Sequence, residues 1–96
     1  MMNELNTIDY LFLKFRSVYI KLEDVCKEYY PHLCKEKVLE KARQHKFPFV
    51  CFRIDDSQKA PFFVRIEELA SVLDEIYAQN YRGFQTSMQK AIQATI

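Results

Sequence analysis

The order of structural elements is decided within residues 22–66, which read LEDVCKEYYPHLCKEKVLEKARQHKFPFVCFRIDDSQKAPFFVRI. The first part predicts a short helix, because its apolar residues recur three and four positions apart. These residues are Leu22, Val25, Cys26 and Tyr29. Pro31 ends this helix, and a second, basic helix is predicted from Cys34 to His45. A helix, a short break and a basic helix therefore stand in sequence.

A β-hairpin is predicted to follow the basic helix. Two β-prone runs, 49–54 and 62–66, flank a polar segment that Pro61 closes, which is typical of a hairpin with a long tip. Arg53 and Arg65 are candidate neighbours across the two strands.

Helices are also predicted on either side of this stretch. Apolar spacing predicts a first helix over 6–16, capped by Asn6 or Thr7. A fourth helix begins near Glu67 and either stops near Gly83 or continues. The tail places apolar residues on one helical stripe: Phe84, Met88, Ala91, Ile92 and Ile96. We therefore expect a domain over 1–83 and a tail over 84–96, which folds back or serves as an association element.

The predicted elements follow in the order helix, basic helix, hairpin and helix. This order is typical of a compact winged helix-turn-helix of the excisionase or MerR kind. We therefore predict the α+β class with short helices and a hairpin wing. In such a fold the second helix enters the major groove, and the wing reaches the backbone or the minor groove. The candidate DNA contacts are Lys35, Lys37, Lys41, Arg43, Gln44, Arg53, Ser57, Gln58 and Lys59. An alternative for Ser57 and Gln58 is that they satisfy backbone groups of the loop.

Composition excludes several classes of protein. Ninety-six residues suit one domain, and the single glycine, Gly83, rules out glycine-rich phosphate loops. The net charge of +1 conceals a gradient. Residues 35–46 carry five bases against two acids, so +3, whereas residues 67–77 carry four acids and no base, so −4. Such opposed fields orient a protein on a polyanion.

Three cysteines without C-x-x-C spacing favour a reduced, cytoplasmic protein. We expect no cofactor, no metal, no membrane span and no catalytic activity. A zinc site on Cys26, His32, Cys34 and Cys51 is the weaker alternative, because the spacing matches no tight-turn zinc pattern.

The chain resembles the pyocin activator (PrtN-type) family of bacterial prophage and bacteriocin loci over about residues 7–74. The most specific match is CFRIDDSQKAPFFV at 51–64. IKLEDVC at 20–26, with Tyr29-Tyr30 after it, is a second match, and Leu69-Ala70 with Leu73-Asp74 is a third. Lys21 and Cys34 depart from the family, which often has better helix-capping residues there.

This resemblance implies a small DNA-binding transcriptional activator of phage-type genes. The contacts it implies are Arg53, Ser57, Gln58, Lys59 and the basic helix. The expected partners are double-stranded DNA, a second copy in a homodimer or higher assembly, and RNA polymerase. Two alternatives stay open: a phage-type protein-interaction or inhibitor module, and an excisionase-like protein that bends DNA.

Overall fold

A computed structural model describes residues 5–94 of the chain. Its helices are α1 (Thr7–Phe15), α2 (Leu22–Tyr29), α3 (Lys35–Arg43) and α4 (Ile66–Ala94). Its strands are β1 (Tyr19–Lys21), β2 (Phe52–Arg53) and β3 (Phe62–Arg65). The α+β class is therefore confirmed. Ile96, which the sequence places on the apolar stripe of the tail, lies outside the described residues.

Helix α1 begins with a reciprocal cap formed by Asn6 and Asp9. The Asn6 side chain accepts a hydrogen bond from the Asp9 backbone nitrogen at 2.9 Å, and the Asp9 carboxylate accepts one from the Asn6 nitrogen at 3.4 Å. Two of the helix's orphan donors are satisfied in this way. Asn6, rather than Thr7, is thus the cap.

Helices α2 and α3 are joined by a tight turn at 30–34. Within it, the Leu33 nitrogen donates to the Tyr30 carbonyl at 3.0 Å. Neither helix has a side-chain cap at its N-cap residue, Lys21 or Cys34. Short uncapped helices are marginal alone, so their burial against the core holds them in place.

Helix α3 ends two residues before the predicted His45. His45 has a left-handed backbone, with φ of 55°. Its nitrogen donates to the Ala42 carbonyl at 3.2 Å, and the Lys46 nitrogen donates to the Lys41 carbonyl at 3.0 Å. This pair of bonds is a Schellman motif, which usually has glycine in the left-handed position.

The three strands form an antiparallel sheet in the order β1-β3-β2. Arg65 pairs with Tyr19 of β1, whereas Arg53 of β2 pairs with Phe62. The expectation that Arg53 and Arg65 are cross-strand neighbours is therefore wrong. Arg53 lies beside Phe62, the first residue of β3, whereas Arg65 is the last residue of β3, because the short β2 pairs only with the first half of that strand.

The run predicted as a strand from Phe49 is mostly irregular and anchored by aromatic rings. Phe47 and Phe49 are buried and stacked, with ring centroids 5.2 Å apart, and Tyr30 meets Phe47 edge-on at the same distance. The Val50 nitrogen donates to the Glu68 carboxylate at 2.7 Å. Because that nitrogen is bonded to a side chain, it does not extend the ladder, and the strand starts only at Phe52.

Every helix, together with β1 and β3, contributes to one core. Buried representatives are Leu11, Ile20, Val25, Val38, Val64 and Leu69. Helix α4 leaves this core and continues through Gly83 to Ala94, so residues 84–94 extend the helix. No helix within residues 5–94 is long and apolar enough to span a membrane.

Candidate nucleic-acid interface

Helices α2 and α3 and the β2–β3 hairpin, which we call the wing (residues 52–65), enclose a cleft of about 620 Å³. Its floor is apolar, formed by the side chains of Leu22, Cys26, Val38 and Phe62. These four residues belong to the core, so the shape of the cleft is fixed by packing. The rim of the cleft is where charged side chains can meet a ligand.

The rim carries five cationic side chains and one carboxylate. The cations are Lys27, Lys35, Arg43, Arg53 and Lys59, and the carboxylate is Glu23. A cleft lined by charge of one sign over an apolar floor concentrates the field and attracts the opposite charge. We call this feature the cationic cleft, and its chemistry suits a polyanion.

The cationic cleft brings together five of the nine candidate contacts: Lys35, Arg43, Arg53, Gln58 and Lys59. The other four, Lys37, Lys41, Gln44 and Ser57, do not line it. The Lys37 ammonium lies 3.7 Å from the Glu40 carboxylate, and the Lys41 ammonium lies 5.3 Å from the centre of the Phe47 ring. Gln44 is exposed at the end of α3.

Arg53 is held in place from inside the wing. Its Nε donates to the Ala60 carbonyl at 3.0 Å, and its guanidinium carbon lies 4.1 Å from the centre of the Phe62 ring. A guanidinium has five N–H donors, and this bond uses only the one on Nε. The two terminal nitrogens are thus held in a fixed orientation, and the bond to Ala60 does not use their N–H groups.

Ser57 has the structural role that the sequence left open for it. Its hydroxyl accepts a hydrogen bond from the Lys59 nitrogen at 3.1 Å, and its carbonyl accepts one from the Ala60 nitrogen at 3.1 Å. These bonds close the tip into a turn. The turn sets Gln58 and Lys59 at the exposed end of the wing.

Lys27 is a rim residue that sequence reasoning missed. Glu23 and Lys27 of α2 line the cationic cleft, together with Tyr30, which follows the helix directly. They stand at i, i+4 and i+7, so they share one face of the helix. This spacing, beside the apolar face of α2, is the signal in the sequence that could have identified Lys27.

The carboxylates of the acidic part of α4 serve structural roles. Glu67 binds the Arg65 guanidinium, which also donates to the Tyr19 hydroxyl at 2.8 Å. Asp74 accepts a hydrogen bond from the Thr7 hydroxyl at 2.6 Å, and so ties α1 to α4. Glu67 and Asp74 therefore help to hold α4 against the strands and α1.

The two thiols at the core, Cys26 and Cys51, are unreactive. Burial raises the pKa of Cys26 to about 11 and the pKa of Cys51 to about 12, so both are neutral thiols near pH 7. Cys34 is exposed at the start of α3. Among the described residues, no group of three or more His, Cys, Asp or Glu side chains is placed to hold a metal ion.

Comparison with known proteins identifies one family. A sequence model described as "Pyocin activator protein PrtN" matches residues 7–79, which is more than half of the chain. The match includes the whole cationic cleft and the first half of α4. Searches of curated proteins and of solved structures give no match.

Proposed function

The chain belongs to the pyocin activator protein PrtN family, a family of regulatory activators, and from this premise we propose that it binds double-stranded DNA as a winged helix-turn-helix. In this proposal it activates the transcription of phage- or bacteriocin-type genes. The observation that carries the proposal is the cationic cleft, with five cations and one acid on its rim. A cleft of this charge between a helix and a wing suits the phosphate backbone of a duplex.

The rim residues divide the backbone contacts among three elements. Lys27 on α2, Lys35 and Arg43 on α3, and Lys59 on the wing supply cations to the phosphates. Arg53 contributes the oriented terminal nitrogens of its guanidinium, which match the geometry of a phosphate. Contacts of this kind fix the orientation of a protein on DNA but carry no sequence information.

In this proposal, side chains on the side of α3 away from the cleft recognise the DNA sequence. Lys37, Lys41 and Gln44 lie outside the cationic cleft, and in our proposal they face base edges in the major groove. A glutamine amide pairs with adenine, and a lysine ammonium reaches guanine or phosphate. Gln58, at the tip of the wing, meets the adjacent backbone or the minor groove.

Fluorescence anisotropy with labelled duplexes from the region upstream of the gene and its neighbours tests this proposal. We expect salt-dependent binding that is strong at 50 mM salt and weak at 200 mM. The double variant Gln58→Ala, Lys59→Ala should bind about tenfold more weakly, with a salt slope smaller by about one. Arg65→Gln is the matched control, because that arginine pairs with Glu67 and Tyr19 away from the cleft.

Two results would count against DNA binding. One is an absence of salt-dependent binding at 50 mM salt to any of the duplexes. The other is an equal loss in the wing variant and in Arg65→Gln, since that would mean a general effect of charge or stability. Circular dichroism and thermal melting of each variant separate unfolding from lost contacts.

The proposal includes the setting and two protein partners. It places the activator in the bacterial cytoplasm, with a second copy of the chain in a homodimer or higher assembly. RNA polymerase is the other partner, because an activator acts by changing how often transcription starts.

An apolar hollow on the other edge of the wing favours a second candidate, a protein-interaction module. It has a volume of about 660 Å³ and is lined mainly by Tyr19, Val50, Phe52 and Ile54. Exposed apolar surface of this kind marks contacts with proteins. Ile54→Asp separates the two functions, because it alters the hollow but not the cationic cleft. If it abolishes activation in a reporter assay while DNA affinity is unchanged, the hollow contacts a protein.

A further inference from the structure

The second half of α4 carries exposed apolar side chains beyond the core. The α4 helix has 29 residues, which corresponds to about 43 Å. The radius of gyration of the chain is 17.4 Å, whereas a compact chain of 96 residues would have about 12–13 Å. Helix α4 therefore projects from the rest of the protein.

Four large side chains form one line that begins before the middle of α4 and runs into its projecting half: Tyr77, Tyr81, Phe84 and Met88. They are spaced four, three and four residues apart, which keeps them on a single face, as in the seam of paired helices. Their exposed fractions are 69%, 47%, 59% and 47%. We call these four residues the α4 seam.

We infer that the α4 seam is the surface on which a second copy of this chain docks, with the two α4 helices antiparallel. The inference deepens the self-association in the proposed function and rests on it, but it does not depend on DNA binding. Three observations support it: the distribution of charge along α4, the exposed area of the seam, and the position of the globular part at one end of α4.

Charge sets the direction of the pair. Residues 67–75 carry four carboxylates and no base, whereas residues 76–94 carry Arg82 and Lys90 and no acid. A parallel pair would set the acidic segments of the two copies side by side and repel them. Arg82 already bridges Glu75 of its own helix, with 3.5 Å between the guanidinium nitrogen and the carboxylate oxygen. An antiparallel pair centred on the α4 seam brings Lys90 of each copy towards Glu75 of the other and separates the two globular parts.

The exposed area is sufficient for a pair of this kind. A buried aromatic side chain covers about 150–250 Å², so the exposed parts of Tyr77, Tyr81 and Phe84 offer about 700 Å² between two copies. Met88 lies on the same face and brings the total to about 900 Å², close to the lower limit of about 1,000 Å² for a specific interface. The pair is thus expected to be reversible and to depend on protein concentration.

A membrane surface fits the seam less well than a second copy does. Interfacial helices carry a polar face rich in lysine and arginine for anionic lipid. The polar residues of 76–94 are mostly uncharged, among them Gln79, Asn80, Gln85 and Gln89. Neutral flanks allow two copies of one helix to approach without repulsion.

Sedimentation equilibrium of the full chain without DNA, over 5–100 µM, tests the pairing. We expect the mass to approach twice 11.5 kDa at the higher concentrations. Tyr81→Lys, in the seam, should weaken the pair at least tenfold, whereas Gln79→Lys, an exposed control on another face of the same helix, should not. A monomeric wild-type chain overturns the inference and leaves the DNA proposal standing.

Disulfide trapping tests the direction. In a Cys34→Ser background, Tyr77→Cys and Met88→Cys are oxidised separately. Residues 77 and 88 are eleven positions apart, which is about 16 Å along a helix. In an antiparallel pair, a residue contacts the same residue of the other copy only if it lies at the two-fold axis, and two positions about 16 Å apart cannot both lie there. We therefore expect at most one of the two variants to form a covalent dimer. Efficient trapping of both would establish a parallel pair and overturn the inferred geometry.

Discussion

The Nε of Arg53 donates a hydrogen bond of 3.0 Å to the carbonyl oxygen of Ala60. The bond connects β2 to the end of the wing tip, and the guanidinium also lies over the Phe62 ring. Arg53 therefore fixes the shape of the wing and contributes charge to the cationic cleft. A lysine could supply the charge, but it lacks the planar guanidinium that donates to Ala60 and stacks on Phe62 at the same time.

Replacing Arg53 by lysine tests this double role. We predict that Arg53→Lys lowers the affinity for DNA about tenfold and that Arg53→Ala lowers it further, because lysine retains the charge while losing the bond to Ala60. Arg65→Lys is the matched control and should leave the affinity within about twofold. Anisotropy titrations at one salt concentration measure the difference. Equal affinity for Arg53→Lys and the wild type would show that charge alone matters there.

The salt dependence of binding reports how many rim cations meet phosphate. We predict that Lys27→Ala and Lys35→Ala each reduce the slope of log K against log salt by about 0.9. Lys14→Ala is the comparison, because its ammonium bridges Glu28 at 2.9 Å and lies outside the cationic cleft. If Lys27→Ala leaves the slope unchanged while Lys35→Ala reduces it, the DNA path excludes α2.

The elements of this protein were more predictable than their contacts. Asn6 as a cap, the helix that Pro31 ends, and the hairpin before α4 each depend on residues close together in sequence. The pairing of Arg53 depends on register, which a strand of two residues does not encode in an alternating pattern. The register of β2 against β3 is set by contacts between residues that are far apart in sequence.

The cationic cleft was only partly predictable for the same reason. Lys35, Arg43 and Lys59 follow from the basic helix and the polar tip, which are visible in the sequence. Lys27 joins them only because α2 packs against β3 and α3 and so presents one flank to the rim. That flank is defined by tertiary packing, to which spacing within one helix gives only a weak guide.

His45 is strained in the Schellman motif that ends α3. Its φ of 55° is left-handed, where glycine has no steric cost. We predict that His45→Gly stabilises the protein by about 0.5–1 kcal/mol. A rise of several degrees in the midpoint of thermal unfolding would show it. His45→Ala keeps the strain and should give no gain, so a rise in both variants would assign the effect to the imidazole instead.

The buried thiols predict a loss of stability at alkaline pH. Burial holds the pKa of Cys26 at about 11 in the folded protein, against 9.0 for an ordinary thiol. The unfolded chain therefore loses its proton first, so the contribution is intact below pH 9 and declines as the pH rises towards 11. We predict a fall of about 1–2 kcal/mol in the free energy of unfolding between pH 8.5 and 10.5. Urea titrations measure it, and Cys26→Ala should reduce the decline without abolishing it, because burial also raises the pKa of Cys51 to about 12.

Gly83 lies inside the continuous helix α4, where glycine favours the unfolded chain. A Cβ built at this position meets no heavy atom within 4 Å among the described residues, and glycine costs a helix about 1 kcal/mol relative to alanine. We predict that Gly83→Ala raises the helical content measured by circular dichroism. The association constant should stay equal or rise, because residue 83 lies beside the α4 seam and not in it. Weaker association would mean that the partner helix approaches the backbone at Gly83, and would place this glycine inside the interface.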